Sequence, residues 1–194
     1  MGSPLIPILL DRGHEVTAVV RDATKSHIPA RVNTVVADPL REGSYTNAIG
    51  AADTFVHLIG TPHPSPAKAK QFREVDLVSI QVAVKAATEA GVKHFIYLSV
   101  AHPAPMMHAF IAVMNATFLR PWYVLGPGHR WAYALLPFYW ICERLPSTSD
   151  SARRLGLIKL PQMLNALIYS VENPPTGVRI LDVPEMRNLT VRAA

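Results

Sequence analysis

With 194 residues, 49% of them hydrophobic and 17% charged, the chain has the composition of one globular domain with enough length for a real core, and it is not that of a disordered chain. Its one cysteine, Cys142, excludes an internal disulfide and fits a reducing, cytoplasmic setting. The formal charge of +5 comes from scattered Lys and Arg, with no basic run interleaved with aromatics, so no nucleic-acid partner is expected.

Met1 to Arg12 reads as a helix, with Ser3 able to cap it, Pro4 at its first position and Gly13 to close it. The opening residues lack the basic flank and long apolar core of a secretory leader. Strands are expected over Glu15–Val20, ending at Arg21-Asp22, and over Asn33–Ala37, ending at Asp38-Pro39. Arg41–Ile49 suits a short helix and Asp53–Ile59 a buried strand ending at Gly60-Thr61, before a proline-stiffened loop. From Ala67 to Ala90 the chain is free of Pro and Gly. Phe72, Val75, Val78, Val82 and Ala86 recur there at steps of three and four, which predicts one long helix closed at Gly91.

His94–Leu98 then reads as a buried strand, Met106–Val113 as a short helical piece and Ala116–Leu119 as another strand. Trp131–Cys142 is the most apolar stretch. It is too short to span a bilayer and is broken by Pro137, so it reads as a buried helix or pocket wall. A membrane-surface contact or a homodimer face is the lesser reading. Leu160–Val171 is a last helix and Val178–Val183 a last strand. Strands alternating with helices predict an α/β fold with a doubly wound parallel sheet.

In such a sheet ligands bind beyond the carboxyl ends of the strands. Arg21-Asp22, Asp38-Pro39, Gly60-Thr61, Ser99 to Pro103 and Arg120 to Trp122 stand there, one crevice drawn from five distant pieces of sequence. His57, His63, His94, His102 and His108 show no ligand spacing with carboxylates or Cys142, and no metal is expected.

The stretches L-I-P-I-L-L-D-R-G-H-E-V-T-A-V-V-R-D, H-L-I-G-T, A-A-T-E-A-G-V-K-H-F-I-Y-L-S and L-R-P-W-Y-V-L-G-P-G, in this order and spacing, resemble the short-chain dehydrogenase/reductase superfamily. The resemblance is to its atypical, extended branch, with the complex I 39-kDa subunit and nitrogen-metabolite-repressor-like proteins. It covers nearly the whole chain. It implies a Rossmann-like dinucleotide-binding core over 1–121 and a C-terminal portion over 122–194 with the pocket-lining segment, last helix and last strand. Of the family's Gly-x-x-Gly-x-x-Gly loop, Gly2 matches only the last glycine. The preceding strand, the other two glycines and part of a helix near Met114-Asn115 have no counterpart. Those gaps suggest ordered pieces joined with their numbering closed up, and a truly shortened protein is the alternative.

The resemblance implies a nicotinamide dinucleotide as partner, with Gly2 at the pyrophosphate. Arg21 would meet the 2′-phosphate of NADP, with NAD the alternative because Asp22 stands beside it. The plain reading of Arg21 is a solvated loop residue. Asp38 and Pro39 would flank the adenine, although Asp38 also suits a helix cap. Leu58, Gly60 and Thr61 match the strand end that the cofactor passes, Gly60 being otherwise a turn glycine. Ser99 matches the hydroxyl that holds the substrate carbonyl beside the cofactor, or else it satisfies backbone at a strand end. Pro121 and Trp122 match the turn at the nicotinamide.

The family's Tyr-x-x-x-Lys falls on Phe110 and, unless the gap precedes it, on Met114, and Phe cannot donate the proton. His102 and Tyr123 are the nearest substitutes. Trp122, Trp131, Tyr133, Phe138 and Trp140 would line a pocket for a small apolar or quinone-like ligand, or are simply core. The leading expectation is a protein that transfers hydride to a small apolar carbonyl or quinone-like compound. A non-catalytic NADP(H)-sensing or assembly protein is the alternative, and a sugar-nucleotide epimerase or dehydratase the second.

Overall fold

The computed structural model describes residues 1–22, 28–50, 52–61, 68–99, 114–126, 142, 144 and 156–189. Helix α1 (Gly2–Asp11) starts earlier than expected, with Met1 rather than Ser3 at its N-cap. Ser3 and Pro4 fall in its first turn, where the missing proline N–H leaves no intrahelical bond unmade. Gly13 closes it at φ 84, a conformation that favours glycine. Strands β1 (Thr17–Val20) and β2 (Asn33–Val36) pair in parallel, Val19 opposite Val35.

The helix expected over Arg41–Ile49 contracts to α2 (Thr46–Ile49). The reason is local. Asp38 Oδ1 accepts the Leu40 N–H at 3.0 Å, and the Asp38 carbonyl accepts the Arg41 N–H at 3.1 Å and the Ser44 hydroxyl at 2.6 Å. These bonds, with Gly43 at φ 72, fold the preceding residues into turns.

Strand β3 (Thr54–His57) is shorter than expected at both ends. The long helix is also not continuous. It runs as α3 (Ala69–Gln71), a π-helical turn (Phe72–Leu77) and α4 (Val78–Glu89), closing at Gly91 as expected. The wider turn shifts the helical phase. Val82 and Ala86 of the expected face are buried, together with Asp76, Ser79, Ile80, Ala83 and Ala87, while Phe72, Val75 and Val78 are only half-buried.

β4 (His94–Leu98) has the expected limits, and β5 (Asn115–Leu119) gains one residue. The expected helical piece over Met106–Val113 lies outside the described residues. A short parallel pair that the periodicity did not announce follows, β6 (Tyr123–Leu125) with β7 (Leu157–Lys159). Helix α5 (Leu160–Glu172) and β8 (Val178–Leu181) come next. The last strand stops before Val183, which instead opens α6 (Val183–Asn188). The Glu185 side chain accepts the Asp182 N–H at 3.0 Å, and Pro184 sits in the first turn, so D-V-P-E starts a helix rather than extending a strand.

The main sheet has the order β3-β4-β5-β8, every pair parallel, and β1-β2 and β6-β7 form separate sheets. Alternation along the strands builds two cores. Phe55, Phe95, Tyr97, Ala116 and Phe118 face α2 and α4. Val56, Ile96, Leu119 and Leu181 face α1, α5 and α6. Helices on both faces of a parallel sheet make the doubly wound arrangement. An ion pair between Arg12 and Glu172 joins the end of α1 to the end of α5.

Candidate functional site

The sheet register lines up the carboxyl ends. Leu98, Leu119 and Leu181 are neighbours across β4, β5 and β8. One step on, the Ser99 N–H donates to the Leu119 carbonyl at 2.9 Å and the Arg120 N–H to the Leu181 carbonyl at 3.0 Å. Arg120 forks onto Asp182 with bonds of 2.8 and 3.0 Å, which fixes the turn leading to Pro121 and Trp122.

Ser99 is 5% exposed, and its Oγ makes no hydrogen bond of good geometry among the described residues. No backbone bond of the Ser99 hydroxyl is present among the described residues. Pro121 is buried, Trp122 is exposed, and Tyr123 begins β6.

Gly2 and Leu58 meet at the other side of this edge: a Cβ added to Gly2 would sit 3.9 Å from Leu58 Cδ1. The first turn of α1 therefore lies against the end of β3, with no side-chain cap and no acidic residue. Uncapped amides of that kind suit a pyrophosphate. Gly60 is exposed and a Cβ there would meet nothing within 4 Å, so the strand end is open on that side. These features fit a dinucleotide lying from Gly2 past Leu58 and Gly60 to Ser99.

Arg21 and Asp38-Pro39 form a separate group just beyond the paired ends Val20 and Val36 of the two-stranded sheet. Arg21 is exposed. Asp38 performs the turn-capping already described. His102, Phe110, Trp131, Tyr133, Phe138 and Trp140 lie outside the described residues.

Beneath the crevice Thr61 and His57 meet three residues that were not singled out in the sequence, Asp76, Ser79 and Tyr97. Thr61 donates from its hydroxyl to Asp76 Oδ1 at 3.1 Å. Ser79 donates to the Asp76 carbonyl at 3.0 Å and lies 3.4 Å from His57 Nε2. The His57 and Tyr97 rings are 5.6 Å apart. Burial raises the Asp76 pKa, with the Thr61 hydroxyl and N–H working against it. It pushes His57 down to about 4 and Tyr97 up to about 12. The available signal was Asp76 itself, a charge set among Val75, Leu77 and Val78 in an otherwise apolar run.

At the opposite, amino-terminal end of the sheet lies a second buried polar group. His94 Nε2 is 3.0 Å from Thr117 Oγ1, which accepts from Arg179 at 3.1 Å. The Arg179 guanidinium lies 5.1 Å above the Tyr169 ring. Among the described residues no set of three or more His, Cys, Asp or Glu is placed to hold a metal, and no helix is long and apolar enough to cross a membrane.

A family described as NAD(P)H-binding matches residues 1–136. A 3-diazoavenalumate denitrifying reductase from a Streptomyces species is 31% identical over 161 residues, covering 78% of this chain and 50% of the relative. The chain thus spans about half the length of that relative. Among solved structures, the Bordetella bronchiseptica enzyme WbmH with NAD+ superposes with a TM-score of 0.65 at 15% identity, over 93% of this chain and 71% of that one. An Agrobacterium tumefaciens short-chain dehydrogenase/reductase superfamily protein with bound NAD gives 0.66 at 13%, over 93% and 74%. At these identities the structures speak for the fold. The family match supplies the rest: the chain belongs to the NAD(P)H-binding family.

Proposed function

We propose that this protein is an NADP(H)-dependent reductase acting on a small apolar carbonyl or quinone-like compound. The observation that carries the reading is Ser99: a buried hydroxyl with bonding capacity to spare, at the carboxyl end of β4, between the open strand end at Gly60 and the Arg120–Trp122 turn. The Streptomyces relative, itself named a reductase, favours this over an epimerase.

When bound, the dinucleotide supplies the hydride. Gly2 and the first amides of α1 would hold its pyrophosphate, and Arg21 the 2′-phosphate of its adenosine ribose. Ser99 Oγ–H donates to the substrate oxygen, orients the carbonyl and stabilises the negative charge that develops there. Leu58 and Pro121 shield the reacting end from water. The apolar ligand would be received by Trp122 and the segment that follows it, with a homodimer as the assembly.

Incubating the purified protein with NADPH and a panel of apolar aldehydes, ketones and quinones tests the proposal. Consumption of NADPH that depends on one of these compounds is expected. NADPH binding with no turnover of any compound would instead leave an NADP(H)-sensing role, as Phe110 at the usual tyrosine position would then indicate.

A further inference from the structure

Strand β3 ends its pairing at His57, opposite Tyr97 of β4. Beyond it Leu58 and Ile59 are half-buried and Gly60 is exposed, with no strand partner among the described residues. A glycine in such a stretch adds backbone freedom. The stretch is nevertheless anchored at both ends. His57 is 2% exposed and held in the sheet. Thr61 is 9% exposed and directs its hydroxyl inward, donating to Asp76 Oδ1 at 3.1 Å. Ser79, just after the same turn, donates to the Asp76 carbonyl at 3.0 Å and lies 3.4 Å from His57 Nε2. One length of helix therefore reaches both anchors, and Leu58–Gly60 is a short bridge between them.

Packing alone does not call for an acid at this place. Asp76 is 5% exposed, its neighbours Val75, Leu77 and Val78 are apolar, and no ion pair reaches it among the described residues. A buried carboxyl is costly unless a donor meets it, and Thr61 is that donor. The π-helical turn Phe72–Leu77 sets Asp76 inward while Arg73 and Glu74 on the same turn are exposed. Such turns are rare and occur frequently at functional sites.

We propose that Asp76 is a positioning residue for the dinucleotide: through Thr61 it holds Leu58–Gly60 in the shape over which the cofactor lies. This rests on the reading that the dinucleotide passes Gly60. Thr61 then serves the site through its inward hydroxyl and not by touching the cofactor. Without the bond the bridge is anchored at His57 alone. Its ordering then falls on the binding step, and affinity drops.

Four variants test this. Asp76→Ala removes the acceptor and Asp76→Asn keeps one. Thr61→Val removes the donor at nearly equal volume and Thr61→Ser restores it. Hydrogen–deuterium exchange at Leu58–Thr61 is read without cofactor, NADPH affinity by fluorescence titration, and stability by the urea midpoint. In Asp76→Ala and Thr61→Val, exchange is expected to be about tenfold faster and NADPH binding about tenfold weaker. Asp76→Asn and Thr61→Ser are expected to recover most of both losses. A merely structural role would lower the urea midpoint and leave the affinity of the folded protein where it was. If Asp76→Ala does not fold, the Thr61 pair carries the same comparison. Unchanged exchange, or unchanged NADPH affinity where the donor or acceptor is gone, overturns the proposal. Gly60→Val then separates the causes. If it too leaves affinity unchanged, the cofactor path past Gly60 has failed; if it weakens binding, the path stands and only the role of Asp76 falls.

Discussion

Arg21 leaves β1 directly after Val20 and is exposed, so its guanidinium is available to a phosphate arriving at the strand end. A charge-assisted bond of this type is worth about 1.5–3 kcal/mol, or roughly ten- to a hundredfold in affinity. NADPH is therefore expected to bind more tightly than NADH, and Arg21→Ala to remove most of the difference. Calorimetric titration of both cofactors into both proteins measures this, and equal affinities in the wild type would make Arg21 an ordinary surface residue. Gly60 offers a complementary test. A side chain there enters open space, so Gly60→Val is expected to alter stability by no more than about 0.5 kcal/mol. It would nevertheless stand in the cofactor's way and weaken dinucleotide binding by about tenfold, or about 1.4 kcal/mol. Ser99 and Gly60 were legible because strand ends are readable from the alternation of strands and helices. Asp76 was not, because its burial depends on a π turn that the i, i+3, i+4 pattern does not show.

At the scale of elements, β4 is the spine of the molecule. Phe95 and Ile96, both wholly buried, anchor the two opposite cores. Phe95 stacks on Phe55 at 5.3 Å, and Tyr97 meets Phe118 edge-on at 6.0 Å. Truncating such a side chain removes its burial and leaves a cavity, so Phe95→Ala is expected to cost about 3–5 kcal/mol. Urea unfolding would read this as a lower midpoint at unchanged slope. A loss below about 1 kcal/mol would mean that the α4 face collapses around the gap and is not tightly packed. The limits of β4 were readable from His94–Leu98 alone, since a short apolar run between a Gly turn and Ser99 admits few alternatives. Two other elements were not readable. Turn bonds from Asp38 replaced most of the helix expected over Arg41–Ile49. The Asp182–Glu185 cap turned a strand end into α6.

For the whole molecule, the buried histidines set a pH dependence. His57 and His94 each have a folded pKa of about 4 against an ordinary 6.5, through burial in both cases and, for His94, also the charge of Arg179. Folding thus favours the neutral rings. Their contribution is full above pH 6.5 and is lost as pH falls from 6.5 to about 4. Asp76 works in the opposite sense, losing stability as pH rises above 3.8 through its raised value. Unfolding free energy is expected to fall on acidification across the histidine window, and less steeply in His94→Gln. A slope that the substitution leaves unchanged would assign the effect elsewhere.

The parallel, doubly wound architecture was legible from the order of its elements. The separation of β1-β2 from β3-β4-β5-β8 was legible too, in the missing counterpart of the family's preceding strand, without which its neighbours are left unpaired. The central claim is that the carboxyl-terminal edge of the sheet receives a nicotinamide dinucleotide. Hydrogen–deuterium exchange with and without NADPH tests it most directly. Slower exchange is expected in the first turn of α1, at Leu58–Thr61, at Ser99 and at Arg120 and Trp122. Protection at the amino-terminal edge around His94, Thr117 and Arg179 instead, or no change anywhere, would contradict it.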